Sequence, residues 1–81
     1  MTTVELVYTT TCVYCAPAKK LFKDLQKEIP FDYKEIDATS PEGQKLVSKF
    51  QIMAVPTIII DDKVAFVGLP NKNAVVKALK G

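Results

Sequence analysis

The 81-residue chain has no histidine and no tryptophan, only two cysteines and three glycines, and no long apolar run. Its most apolar stretch, Ile52 to Ile60, is interrupted by Pro56 and falls far short of the roughly 20 residues that span a bilayer. A membrane protein is not expected. With no histidine and no third cysteine, one copy of the chain lacks the Cys and His ligands for a closed four-ligand zinc or iron–sulfur site. Basic residues exceed acidic ones by only 11 to 9, giving a net charge of +2. No Lys/Arg cluster with interleaved aromatics supplies a phosphate footprint, which argues against nucleic-acid binding as the main task. The first residues, Met1-Thr2-Thr3-Val4-Glu5, carry neither a basic leader nor an apolar stretch of signal-peptide length. The expectation is a soluble cytoplasmic protein.

What is present is ordinary globular composition, 48% hydrophobic and 25% charged, in a chain with room for one small core. No repeat, low-complexity tract or linker divides it, so residues 1–81 read as one domain. In a reducing compartment a lone cysteine pair is catalytic or metal-binding more often than structural. Here the pair is Thr11-Cys12-Val13-Tyr14-Cys15, placed where an opening strand gives way to a helix.

Val4-Glu5-Leu6-Val7-Tyr8 is β-branched, aromatic and nearly continuous in apolar character, as in a central strand covered on both faces. Thr9-Thr10-Thr11 supplies hydroxyls for turns and caps, and the cysteine motif opens a helix running to about Glu28. Ala18, Leu21, Phe22, Leu25 and Ile29 form its inward stripe, while Lys19, Lys20, Lys23 and Lys27 read as a solvated face. Pro17 removes an early bond to the Val13 carbonyl and is expected to loosen the first turn.

Pro30 ends the helix, and Phe31 to Ile36 alternates like a half-buried strand near a sheet edge. Ser40-Pro41 reads as an N-cap and first helical position of a helix to about Phe50, with Leu46, Val47 and Phe50 inward. Thr57 to Ile60 is a short buried strand. Asp61-Asp62-Lys63 turns into Val64 to Val67, making an antiparallel hairpin. Gly68-Leu69-Pro70 breaks that strand, and Asn71 caps a last helix with Ala74, Val75, Ala78 and Leu79 inward. The order βαβαββα is that of an α/β domain.

Three readings of the cysteine pair are open. As a structural staple it closes a loop of four residues, worth only about 2 kcal/mol by chain entropy against about 3 for fifteen. As half of a metal or iron–sulfur carrier it needs a second chain or external thiols. As a redox dithiol it needs one thiol with a lowered pKa, and a helix N-terminus supplies that by favouring an anion. In this last reading Cys12 attacks a substrate disulfide from the first helical turn, and Cys15, one turn in, resolves the mixed disulfide.

With the strand, Cys12-Val13-Tyr14-Cys15 at a helix start, and Val55-Pro56 some forty residues on before another strand, the chain resembles the thioredoxin/glutaredoxin family from Val4 to Leu79. The resemblance implies the thioredoxin fold in its minimal form, a four-stranded mixed sheet flanked by three helices, and thiol–disulfide oxidoreductase activity serving electron transport and cell redox homeostasis. It also implies a cis bond before Pro56, and a groove in which Val13, Tyr14, Ala54, Val55, Pro56 and Gly68 bind substrate, Val55 pairing with an extended substrate segment. For Ile52 to Thr57 the other reading is a plain core connection, and for Gly68 it is simple strand termination.

Within the family the motifs divide. Length and Tyr14 are similar to a glutaredoxin, whose usual Cys-Pro-Tyr-Cys differs only at Val13. Thr9, however, stands where glutaredoxins commonly carry a glutathione-binding lysine. Ala54-Val55-Pro56 replaces their Thr-Val-Pro, and Gly68-Leu69-Pro70-Asn71 their Gly-Gly-Ser/Thr-Asp run. On the thioredoxin side, Thr11 replaces the Trp of Trp-Cys-Gly-Pro-Cys, and Leu6 replaces a buried acid. The stretches Ile52 to Thr57 and Phe66-Val67-Gly68 are similar to short, glutaredoxin-sized thioredoxin-like proteins of archaea. The resemblance implies a monomer with no bound cofactor, acting on disulfide-containing proteins, with electrons from a thioredoxin-reductase-like flavoenzyme; the alternative is a glutathione-dependent glutaredoxin, with glutathione as the second choice of reductant.

Overall fold

Alternating apolar strands and amphipathic helices fold here into a single mixed sheet with helices against it. The computed structural model describes residues 2–80. The elements are β1 (Thr3–Tyr8), α1 (Cys15–Leu25), β2 (Asp32–Asp37), α2 (Pro41–Phe50), β3 (Thr57–Ile60), β4 (Lys63–Val67) and α3 (Lys72–Lys80). The sheet order is β2-β1-β3-β4. β1 is parallel to β2, a pairing that needs the crossover α1 provides, and antiparallel to β3, while β3 and β4 form a hairpin. β1 and β3 are therefore interior and β2 is an edge, as their sequence patterns predict.

Side chains alternate across the strands, so the sheet has two apolar faces. On one, Val4, Leu6 and Ile58 pack with Ala18, Phe22 and Leu25 of α1 and Val75 of α3. Val7, Ile36 and Ile59 alternate with these and are equally buried on the other face, and α2 packs beside β2. Phe22 lies between two rings, stacked on Tyr33 at 5.8 Å and edge-on to Phe31 at 6.4 Å. The strand after Pro30 starts at Asp32 rather than Phe31. Phe31, just ahead of it, is drawn into the core by these aromatic contacts.

Several helix expectations need correction. α1 begins at Cys15 and ends at Leu25; beyond it the Glu28 and Ile29 amides both bond the Leu25 carbonyl, at 3.0 and 2.8 Å, turning the chain rather than extending the helix. No threonine caps it: the N-cap is Tyr14, with no side-chain hydrogen bond. Pro17 is the third helical residue, whose N–H has no intrahelical acceptor in any case, so the ring costs the helix nothing. In α2, Ser40 does cap, its hydroxyl oxygen accepting from the Gly43 amide at 3.0 Å. Leu46, Val47 and Phe50 are only half-buried, because the face pressed on the sheet centres on Gly43, the buried residue of that helix. In α3, Asn71 caps as expected, accepting from the Asn73 amide at 2.8 Å. Ala74 and Ala78 are nevertheless exposed; Val75 is buried and Val76 and Leu79 half-buried, a stripe rotated by one residue.

The hairpin turn is two residues, Asp61 and Asp62, both at positive φ (50° and 64°), and Lys63 already belongs to β4. Paired positive φ values match the twist of a hairpin. Ile58 pairs with Phe66 but Ile59 with Val64, so Ala65 bulges out of the ladder.

Candidate functional site

The cysteines sit at the end of the sheet where β1 stops. Three residues, Thr9 to Thr11, separate the end of β1 at Tyr8 from Cys12, and a turn closes there in which the Cys12 amide donates to the Thr9 carbonyl at 3.3 Å. Cys12 and Cys15 form a disulfide with Cα atoms 5.3 Å apart. Cys12 is not on the helix: it lies ahead of the N-cap, and Cys15 is the first helical residue. The Cys12 sulfur is nevertheless bonded to the first residue of α1 and so lies at that helix's positive end. Pro17 has no N–H and the first helical bond, from the Ala18 amide to the Tyr14 carbonyl, is 3.2 Å. The Cys15 and Ala16 amides make no backbone or side-chain bond among the described residues, and remain available to an anion there.

Burial separates the two sulfurs. Cys15 is 2% exposed, whereas Cys12 is half-buried beside the exposed Val13 and Tyr14. Of the two sulfur-bearing residues, Cys12 is the more exposed.

The sheet register brings the second predicted segment to the same end. Val7 pairs with Thr57 and Thr57 with Val67, so the loop after β1, the residues before β3 and the residues after β4 converge. The Val55–Pro56 bond is cis. Pro56 is buried and Val55 half-buried, and Ala54 is held by the Thr57 hydroxyl, which donates to its carbonyl at 2.6 Å. The N–H and C=O of Val55 make no hydrogen bond among the described residues. Gly68, at φ +87°, donates its amide to the Pro56 carbonyl at 2.7 Å. Nothing lies within 4 Å of where its side chain would project, so Gly68 both ends the strand and leaves open space above it.

One feature of this end escapes a sequence pattern. Met53, 97% exposed, forms with Phe50, Ile52, Ala54, Val64 and Val67 an apolar groove of about 230 Å³ running from the cis-proline loop to β4. Val64 and Val67 read as ordinary strand residues; only the bulge and the edge position leave them open. A second departure is Lys19, which is half-buried rather than solvated. Its ammonium lies 3.5 Å from the centre of the Tyr8 ring. Asp37, paired with Tyr8 across β1 and β2, accepts from the Thr39 hydroxyl and amide at 2.7 and 2.8 Å. Those bonds, and then the Lys19 charge, hold its carboxyl below the usual aspartate value. Further back, burial and then the bond to Glu35 push the Tyr33 hydroxyl well above the usual phenol range.

Residues 2–80 match the sequence profile of the thioredoxin domain family. The chain is 36% identical over 78 residues to the thioredoxin of Methanocaldococcus jannaschii, covering 95% of this chain and 91% of that protein. It is 31% identical to a probable thioredoxin of Archaeoglobus fulgidus, over 100% of this chain and 92% of the relative. Among solved structures it superposes on a mutant thioredoxin from Halobacterium salinarum with a TM-score of 0.80 at 22% identity, over 98% of this chain and 72% of that one. A malarial protein gives a TM-score of 0.81 at 20% identity, over 99% and 94%. These structural likenesses carry the fold.

Proposed function

The chain belongs to the thioredoxin family, and we propose that as a thiol–disulfide oxidoreductase it works as a cytoplasmic protein disulfide reductase on a glutaredoxin-length scaffold. The observation that carries this is the Cys12–Cys15 disulfide, with Cys15 sealed and Cys12 open, at the sheet end shared by the unpaired backbone of Val55. In the reduced state, Cys12 as thiolate attacks a sulfur of a substrate disulfide, and the substrate's other sulfur leaves as a thiolate. Cys15, deprotonated, then attacks Cys12; the Cys12–substrate bond breaks, the Cys12–Cys15 bond forms, and the second substrate thiolate leaves and is protonated. Two electrons pass to the substrate. Val55 donates and accepts one backbone bond each to an extended substrate segment, aligning its disulfide over Cys12.

The surroundings favour a protein over glutathione. Val13, Tyr14, Met53, Ala54, Val55, Val67 and Gly68 include no charge to meet a tripeptide bearing carboxylates, and Thr9 stands in place of a lysine. Electrons come from a thioredoxin-reductase-like flavoenzyme, and the chain binds no cofactor of its own.

The test is insulin reduction with two recycling systems side by side, a flavin-dependent thioredoxin reductase with NADPH, and glutathione with its reductase. Turnover is expected in the first and at least tenfold less in the second; the reverse order would overturn the choice of reductant. Cys12→Ser is expected to abolish turnover, and Cys15→Ser to accumulate mixed disulfides visible as mass adducts lost on reduction.

A further inference from the structure

The resolving step poses a problem in proton chemistry. Cys15 is 2% exposed, and burial in apolar surroundings raises a thiol pKa and starves the step of thiolate. Its apolar neighbours on the inward stripe are Ala18 and Phe22, and Leu6 across the core is fully buried and apolar. The ionisable groups on the elements packed about this end of α1 are Lys19, Tyr8 at the end of β1 and Asp37 at the end of β2; Glu35 lies one pleat further back, bonded to Tyr33 and 3.9 Å from Lys23. Tyr14 points outward, 62% exposed.

From these placements we propose that Lys19 is a positioning residue for the redox reaction: its ammonium, held on the Tyr8 ring, supplies the positive field that ionises Cys15 for attack on the mixed disulfide. The assignment rests on the dithiol cycle proposed above. Three observations carry it. Lys19 follows Cys15 by four residues, the spacing that puts two helical side chains on one face about 5–6 Å apart at Cβ. A helical side chain covers the turn N-terminal to its own Cα, which for Lys19 is the turn that opens with Cys15. The Tyr8 ring, 3.5 Å from the ammonium, belongs to the last residue of β1, so the charge is anchored inward at the redox end of the sheet and not released to solvent as for Lys20, whose partner is the exposed Asp24. A cation anchored on the same helical face favours the thiolate over the thiol; the proton leaves to solvent, and no base is needed.

The test is stopped-flow reaction of the reduced protein with 4,4′-dithiodipyridine, a neutral aromatic disulfide. Attack by Cys12 releases one thiopyridone; attack by Cys15 on the resulting mixed disulfide releases a second, so the slow phase reports resolution. In Lys19→Met the pH midpoint of the second phase is expected to rise by about one unit, slowing resolution roughly tenfold near neutrality. Lys19→Arg keeps the charge and should keep the wild-type profile. Asp37→Asn, which preserves an acceptor for Thr39 but removes the counter-charge, should move the midpoint downward. A Lys19→Met profile that coincides with wild type overturns the proposal, and so does slower resolution in Asp37→Asn, which would make Asp37 the base. A wild-type protein that releases the first thiopyridone and never the second refutes the dithiol cycle itself, an outcome separate from any effect at Lys19.

Discussion

At the scale of single residues, the chemistry of the site comes from differences between like groups. Two cysteines three positions apart differ because one opens a helix and turns inward while the other precedes it; two lysines, Lys19 and Lys20, differ because one finds a ring and the other a surface carboxylate. Asp37 shows how local bonding sets acid behaviour. Its carboxylate accepts two bonds from Thr39, so its folded pKa lies below the unfolded one. A depressed carboxylate contributes stability that is fully present above the unfolded pKa, about 3.9, and is lost as pH falls through the folded value. Asp37→Asn keeps an acceptor without the titration, so its melting temperature should fall less than that of the wild type between pH 5.5 and pH 2.5. Thermal denaturation followed by circular dichroism across that window checks the difference. Cys12 and Cys15, as the only cysteines, were legible in the sequence as the reactive pair. The inward turn of Lys19 was not, because a lysine at helical spacing beside three others reads as solvated until the ring it covers is known.

At the scale of elements, helix ends and close approaches set the geometry. Gly43 is the clearest case: a Cβ there would stand 1.9 Å from the Asp37 carbonyl oxygen, a backbone atom at the end of β2. α2 can seat itself on the sheet only because that position has no side chain. Gly43→Ala is expected to destabilise the fold by about 2–4 kcal/mol despite alanine's better helix propensity, measured by urea denaturation. Ser40→Ala, which removes only the cap, should cost about 1 kcal/mol. A larger loss in Gly43→Ala than in Ser40→Ala means that close packing holds α2 more than capping does. Ser40-Pro41 announced the start of α2 in plain sequence, as did Asn71 for α3. The end of α1 and the start of its hydrogen bonding were not so marked: Tyr14 is no capping residue, and the turn at Gln26 to Glu28 contains no glycine. Likewise the one-residue rotation of α3 follows from which valine meets Phe22 and Leu25, a fact of packing rather than of periodicity.

At the scale of the whole molecule, the radius of gyration is 11.7 Å, matching the about 12 Å expected of a compact chain near 80 residues. A protein of this size has little core to spare. Phe22, on the inner face of α1 against the aromatic pair Phe31 and Tyr33, is the largest of its fully buried side chains. Phe22→Ala should cost about 3–5 kcal/mol, a large share of the roughly 5–15 kcal/mol that keeps a domain folded, and lower the urea midpoint accordingly. The strand order was readable because central strands run apolar on both faces and edge strands alternate. The convergence of the Cys12 loop, Val55 and Gly68 was readable only through family resemblance; in the fold it follows from the register Val7 to Thr57 to Val67. The bulge at Ala65 carries a different consequence. A strand at a sheet border can recruit copies of itself and seed aggregates. Here the extra residue interrupts β4's outer row of donors and acceptors, and Lys63 sets a charge at its start. Permanent sheet extension is thus discouraged along the β4 border, so a dimer or fibre built by pairing β4 with a second copy is disfavoured.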